Sequence, residues 1–127
     1  MNLFSFVVVG LGAALGAWLR WGLGVLLNPV VPTLPLGTLA ANLIGGYLVG
    51  VAVTIFHINV ELPAEFKLFA ITGLLGGLTT FSTFSAEVVA LIQRAEYGWA
   101  AGTASLHLCG SLLLTGLGIY TVLQLAK

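Results

Sequence analysis

The chain has 127 residues, 59% of them apolar and only 6% charged, with a mean hydropathy of +1.12. A soluble domain carries far more surface charge, so residues 1–127 are expected to form a single all-α integral membrane domain. Four Lys and Arg balance four Asp and Glu, and without a basic cluster nucleic acid is excluded as a partner.

One membrane-spanning helix needs about 20 mostly apolar residues, and four stretches supply them: 3–27, 36–56, 66–92 and 99–125. The first is read as a span and not as a cleaved leader, because Met1 and Asn2 form no basic region and no small-residue cleavage site follows. Asn28, Pro29, Pro32 and Pro35 close it, residues 58–63 close the second span, and residues 95–98 form the third turn. Short turns impose up-down alternation, with both termini on one side. No convincing internal repeat is present.

Small residues recur every fourth position at Gly12 and Gly16, at Gly37, Ala41 and Gly45, and at Gly46 and Gly50. This spacing lets helix backbones approach closely in lipid and predicts a compact bundle or dimer. In the second span Asn42 carries an amide with up to four hydrogen-bonding sites, so it faces either a pore or another helix. Arg20, near the end of the first span, and Glu87, near the end of the third, are the two charges inside the spans, where an ionisable group is a functional candidate. The first and third spans run the same way, so the two side chains are placed to meet. Arg20 can alternatively reach the interface, where its field draws anions into a vestibule. Glu61, Glu65, Lys67, Arg94, Glu96 and Lys127 read as interfacial.

The third span holds the least expected segment, GLLGGLTTFSTFSAE at residues 73–87. Gly76 and Gly77 each weaken a helix by about 1 kcal/mol relative to Ala, and Thr79, Thr80, Ser82, Thr83 and Ser85 bring hydroxyls where lipid offers no partner. Irregular backbone at membrane depth is tolerated only where it is buried in protein or lines a cavity. The segment therefore predicts a helix broken mid-membrane near residues 76–79, with Thr79 or Thr80 capping the restarted helix and carbonyls free for a hard cation. Phe81 and Phe84 follow on one helical face. They are either ordinary packing residues or rings whose positive edges replace part of a small anion's hydration.

In the fourth span His107, Ser111 and Thr115 fall at i, i+4 and i+8 and form one polar stripe. A zinc site at His107 is rejected, because zinc needs three or four convergent ligands and the other histidine, His57, belongs to a distant loop. A pH-tuning role is the weaker alternative. Cys109 is the single cysteine; it excludes an intrachain disulfide and reads as a small packing residue. By the positive-inside rule Lys67 and Lys127 oppose Arg20 and Arg94, two against two. Such balance permits insertion in both orientations and hence an antiparallel dual-topology homodimer; the other reading is that four charges steer nothing.

GLGAALGAWLRWGLG (10–24), GTLAANLIGGYLVG (37–50) and GLLGGLTTFSTFSAE together resemble the signature segments of the Fluc, or CrcB, family of bacterial fluoride channels. The resemblance covers the whole chain, the third segment being the most specific. It differs at His107, where the family can place Tyr. The resemblance implies an antiparallel homodimer with two pores in a bacterial inner membrane, passively exporting fluoride and so lowering its toxicity. It implies that Phe81, Phe84 and Asn42 line the fluoride path, that Ser111 and Thr115, with His107 in register, form a polar track, and that Ser82 and Thr83 lie nearby. It further implies a structural sodium ion at the dimer centre, held by the carbonyls of Gly76 and Thr79.

Other classes fit less well. A small dual-topology multidrug or cation exporter has similar length, but proton-coupled export needs a central carboxylate that the first span lacks. A membrane enzyme needs a convergent nucleophile and base, and His107 has no acidic partner on its own helix. A purely structural subunit does not need the clustered hydroxyls of the third span. No GxxxxGK[ST] nucleotide motif is present.

Overall fold

The computed structural model describes residues 1–127, and they are almost entirely helical. Helix α1 runs Leu3–Leu27, α2 runs Leu36–Ile58 and α6 runs Tyr97–Leu125. The third span, Ala64–Gln93, is composite: α3 (Ala64–Lys67), a π-helical stretch (Leu68–Leu75), α4 (Gly76–Leu78) and α5 (Phe81–Gln93). Four helices are thus long and apolar enough to cross a membrane, and the chain is a multi-pass membrane protein. The last three spans run a residue or two beyond the hydropathy limits, because helical hydrogen bonding continues into the polar interface after the apolar run ends.

Three helix ends are satisfied by nearby groups. Asn2 accepts from the Ser5 N–H at 2.8 Å and opens α1. The first N–H groups of α2 have no side-chain cap at Pro35. Asn28, across the turn, accepts instead from the N–H of Gly37 (2.8 Å) and Thr38 (3.2 Å), filling orphan donors of the helix start. The turn after α5 is tighter than residues 95–98, since Gly98 already belongs to α6. Glu96 N–H reaches Leu91 O, and Ala95 N–H reaches Ile92 O, both at 2.9 Å. This Schellman pairing needs a left-handed residue at its centre, and Ala95 adopts it with φ 58°.

The chain packs as two parallel pairs, α1 with the third span and α2 with α6. In the first pair Gly16 abuts Leu78: a Cβ at Gly16 would lie 2.6 Å from the Leu78 nitrogen. In the second, Gly118 lies against the α2 backbone, and a Cβ there would come within 2.9 Å of the Val51 nitrogen. Contacts ascend together in each pair, Gly12 and Gly16 against Gly73 and Leu78, and Gly46 and Gly50 against Ser111 and Ile119, so both pairs run parallel. Only 18 of 127 residues are buried, while Leu112, Leu113 and many other large apolar side chains face outward. That apolar exterior suits lipid and would be untenable in water. The small core joins Ala41, Leu75 and Leu78, with Leu23, Val49 and Ala52 against it.

The π-helical stretch was not foreseen from the sequence. Its wider turn sends the Gly76 N–H back to the Ile71 carbonyl, and such stretches concentrate at functional sites. Gly76 and Gly77 themselves stay helical. The backbone leaves helical geometry later, at Thr79 and Thr80.

Candidate functional site

Helix α4 ends at Leu78, Thr79 is extended at φ −86°, ψ 154°, and Thr80 is extended at φ −149°, ψ 121°. Thr79 still closes the preceding turn, its N–H and its hydroxyl both donating to Leu75 O, at 3.0 and 2.8 Å. Thr80 then opens α5, its hydroxyl accepting from the Thr83 N–H at 3.1 Å, as an N-cap residue does. The peptide groups of Thr80 lie outside any helix, and α2 supplies their partner. Asn42 Oδ1 accepts from Thr80 N–H at 2.7 Å, and Asn42 Nδ2 donates to Thr80 O at 2.9 Å. The same Nδ2 lies 3.0 Å from His107 Nδ1 on α6. One amide thus ties three spans together at the interruption.

Aromatic rings flank this junction. Phe81 and Phe84 are edge-to-face, with centroids 5.5 Å apart and planes at 73°. Phe84 also lies over the His107 imidazole, centroid to centroid 4.5 Å at 31°. Both Phe residues, Asn42, His107 and Ser111 line one cavity of about 390 Å³, whose wall includes Gly76 and Thr79. His107 is 4% exposed, and its Nε2 is buried without a hydrogen-bond partner. A mostly apolar cavity with a few polar atoms at fixed places is the form taken by small-ligand sites.

A family model described as CrcB-like protein, Camphor Resistance (CrcB), matches residues 7–119. The chain belongs to the CrcB family. Among its relatives, a protein of Nitrosospira multiformis is 61% identical over 127 residues, covering 100% of this chain and 99% of the relative. One of Dechloromonas aromatica is 64% identical over 122 residues, 96% of this chain and 90% of the relative. One of Cupriavidus taiwanensis is 61% identical over 126 residues, 99% of this chain and 100% of the relative. Each of the three bears the name fluoride-specific ion channel FluC.

The remaining candidates of this CrcB-family chain separate in space. Thr83 lines a second cavity of about 300 Å³ with Arg20, Asn28 and Thr38. Ser82 is exposed, its hydroxyl 3.4 Å from that of Thr80. Thr115 keeps the register of the polar stripe, but its hydroxyl donates to Gly46 O at 2.8 Å and serves the α2–α6 contact. Arg20 and Glu87 do not meet as an ion pair, correcting the expectation from their depth; the single salt bridge is Arg94 to Glu96 at 3.3 Å. Arg20 Nε donates to Gly77 O at 3.1 Å, a carbonyl near the end of α4, where a cation is favoured. Glu87 accepts from the Thr38 hydroxyl at 2.7 Å. Its other oxygen is buried without a partner, as is the Thr103 hydroxyl. Thr38 was missed in the sequence. Its place one turn before Asn42, on the same face of α2, was the available signal.

Proposed function

We propose that this chain is a fluoride-selective channel that lets fluoride leave the cytoplasm passively and so lowers its toxicity. The observation that carries the reading is the Thr79–Thr80 interruption, where Asn42, Phe81, Phe84 and His107 gather on one cavity. Relatives more than 60% identical over nearly their whole length carry the matching name. Hydrogen fluoride crosses a bilayer as a neutral acid and dissociates in a less acidic cytoplasm, which traps the anion. A channel releases it, because an inside-negative potential contributes roughly 2.3 kcal/mol per charge per 100 mV. No nucleotide or covalent chemistry is required, and the protein is not an enzyme.

Ring edges and isolated polar atoms suit such an ion. They replace hydration without a fixed opposite charge that would hold it, as conduction demands. Ser111 continues the polar wall beyond His107. Ser82, Thr83 and Thr115 lie at its margins, while Arg20 and Glu87 set the charge at one end. The interruption acts as a break of the third span at membrane depth. The working unit is an antiparallel dual-topology homodimer with two pores, seated in a bacterial inner membrane; the balance of Lys67 and Lys127 against Arg20 and Arg94 supports it.

A structural sodium ion at the dimer centre fits the donor set. Carbonyl oxygens suit a hard cation. The Thr79 carbonyl receives no hydrogen bond from the chain, and Gly76 stands beside it on the cavity wall. Those two carbonyls from each protomer would hold the ion, whose role is to join the subunits. The test of the channel is fluoride efflux from proteoliposomes, read with an ion electrode against chloride. Protein that passes no fluoride, or passes chloride as readily, sinks the assignment.

A further inference from the structure

Three buried side-chain polar atoms of this chain have no hydrogen-bond partner: Glu87 Oε1, the Thr103 hydroxyl and His107 Nε2. Buried polar groups are almost always paired, and these three exceptions fall on one seam of the bundle. Asn42 bonds His107, 65 positions along the chain, and Gly46 lies against Ser111 at the same offset. One turn earlier on both parallel helices, that register sets Thr38 level with Thr103. Helix α5 runs the opposite way. Phe84 lies on His107, and the next turn of α5 carries Glu87 to the Thr38 level, where its Oε2 accepts from the Thr38 hydroxyl at 2.7 Å. Thr38, Glu87 and Thr103 thus converge from three helices, with His107 one turn nearer the interruption. Thr103 is 1% exposed, and Glu87 and Thr103 line neither of the two cavities.

We propose that Glu87, Thr103 and His107 hold one buried water inside the bundle, and that this water links Glu87 to the interrupted third span. A buried water makes about three hydrogen bonds to groups that otherwise go unmet, and this seam offers three. Asn42 Nδ2 has only hydrogens to give, so His107 Nδ1 accepts and the neutral ring carries its hydrogen on Nε2. The water accepts from that N–H, donates to Glu87 Oε1, and bonds the Thr103 hydroxyl, which can take either role. Thr38, Glu87, the water, His107, Asn42 and Thr80 then form one chain of hydrogen bonds across α2, α5 and α6. Glu87 is thereby a positioning residue. It orients the imidazole that meets Asn42, and acts on Thr80 through both. The water site goes beyond the channel reading and does not depend on which ion crosses the membrane.

The test is proton-detected solid-state NMR of the whole protein in lipid bilayers, in fluoride-free buffer, reading magnetisation transfer from water. In the wild type we expect His107 protonated at Nε2, and transfer from a long-lived water both to this N–H and to the Thr103 hydroxyl, which no cavity water reaches. Thr103→Val keeps the side-chain shape without the hydroxyl, shifts the His107 Nε2 resonance and loses the long-lived transfer to it; Thr103→Ser retains both. Glu87→Leu shifts the Asn42 side-chain amide resonances, and Glu87→Gln, with an oxygen in the same place, returns them towards wild type. A wild-type Thr103 hydroxyl that receives nothing from water, a direct Glu87 to Thr103 bond, or a Thr103→Val variant with unchanged transfer overturns the proposal. If Thr103→Val does not fold, the wild-type transfer decides. Fluoride efflux plays no part in the reading, so failure of the channel assignment and failure of the water site are told apart.

Discussion

Asn42 holds Thr80 by both polar groups of its backbone, at 2.7 Å to the N–H and 2.9 Å to the carbonyl. The side chain of one span thereby replaces the helical hydrogen bonds that another has lost. Without that splint, two backbone groups at the interruption would face an apolar medium unpaired, which membranes scarcely tolerate.

Asn42→Ala therefore lowers stability by about 1–3 kcal/mol, the cost of leaving buried polar groups unmet, and abolishes fluoride flux. Unfolding in mild detergent and efflux from vesicles check both. A variant as stable as wild type would show that water replaces the amide.

Phe81→Ile and Phe84→Ile keep apolar bulk but remove the ring edges. Each is expected to cut fluoride flux roughly tenfold, the order of an edge-to-face aromatic contribution, while the proposed dimer still forms. Size-exclusion chromatography and efflux on the same preparation separate assembly from conduction. Wild-type flux in both variants returns the rings to simple packing.

Close helix approach makes a sharp contrast among the glycines. A Cβ at Gly16 would lie 2.6 Å from Leu78 nitrogen, whereas one at Gly102 meets nothing within 4 Å. Gly16→Ala is expected to destabilise by about 1–3 kcal/mol through overpacking, and Gly102→Ala to stabilise by up to about 1 kcal/mol through helix propensity. Thermal unfolding of the two variants gives opposite signs.

Ala95 sits at φ 58°, a conformation costing an L-residue with a side chain roughly 1–2 kcal/mol. Ala95→Gly relieves it and is expected to raise stability by about 0.5–1 kcal/mol after the added unfolded-state entropy of glycine. A lower melting temperature would show that the turn is held by its neighbours without strain.

Lys67 and Lys127 lie on the side of the termini, Arg20 and Arg94 opposite. Adding about three lysines after Lys127 should orient most chains one way, since loop charge sets insertion. Protease accessibility reads the orientation. If dual topology is required, the oriented population loses fluoride flux, and co-expression with an oppositely biased variant restores it.

Hydropathy by itself determined four spans, their up-down order and a weak point in the third, because a lipid environment leaves an apolar chain few ways to satisfy its backbone. The motif at 73–87 also determined the family, which the match over residues 7–119 established. Only the tertiary structure decided where helical geometry lapses, at Thr79–Thr80 and not at the glycines, and that Arg20 engages Gly77 while Glu87 engages Thr38. It alone decided that both Asn42 Nδ2 hydrogens find partners while the buried His107 Nε2 has none. The physical reason is distance along the chain: these bonds join residues 38 to 65 positions apart. Their partners depend on the axial register between packed helices, and glycines such as Gly16 and Gly118 set that register by how closely they let backbones approach.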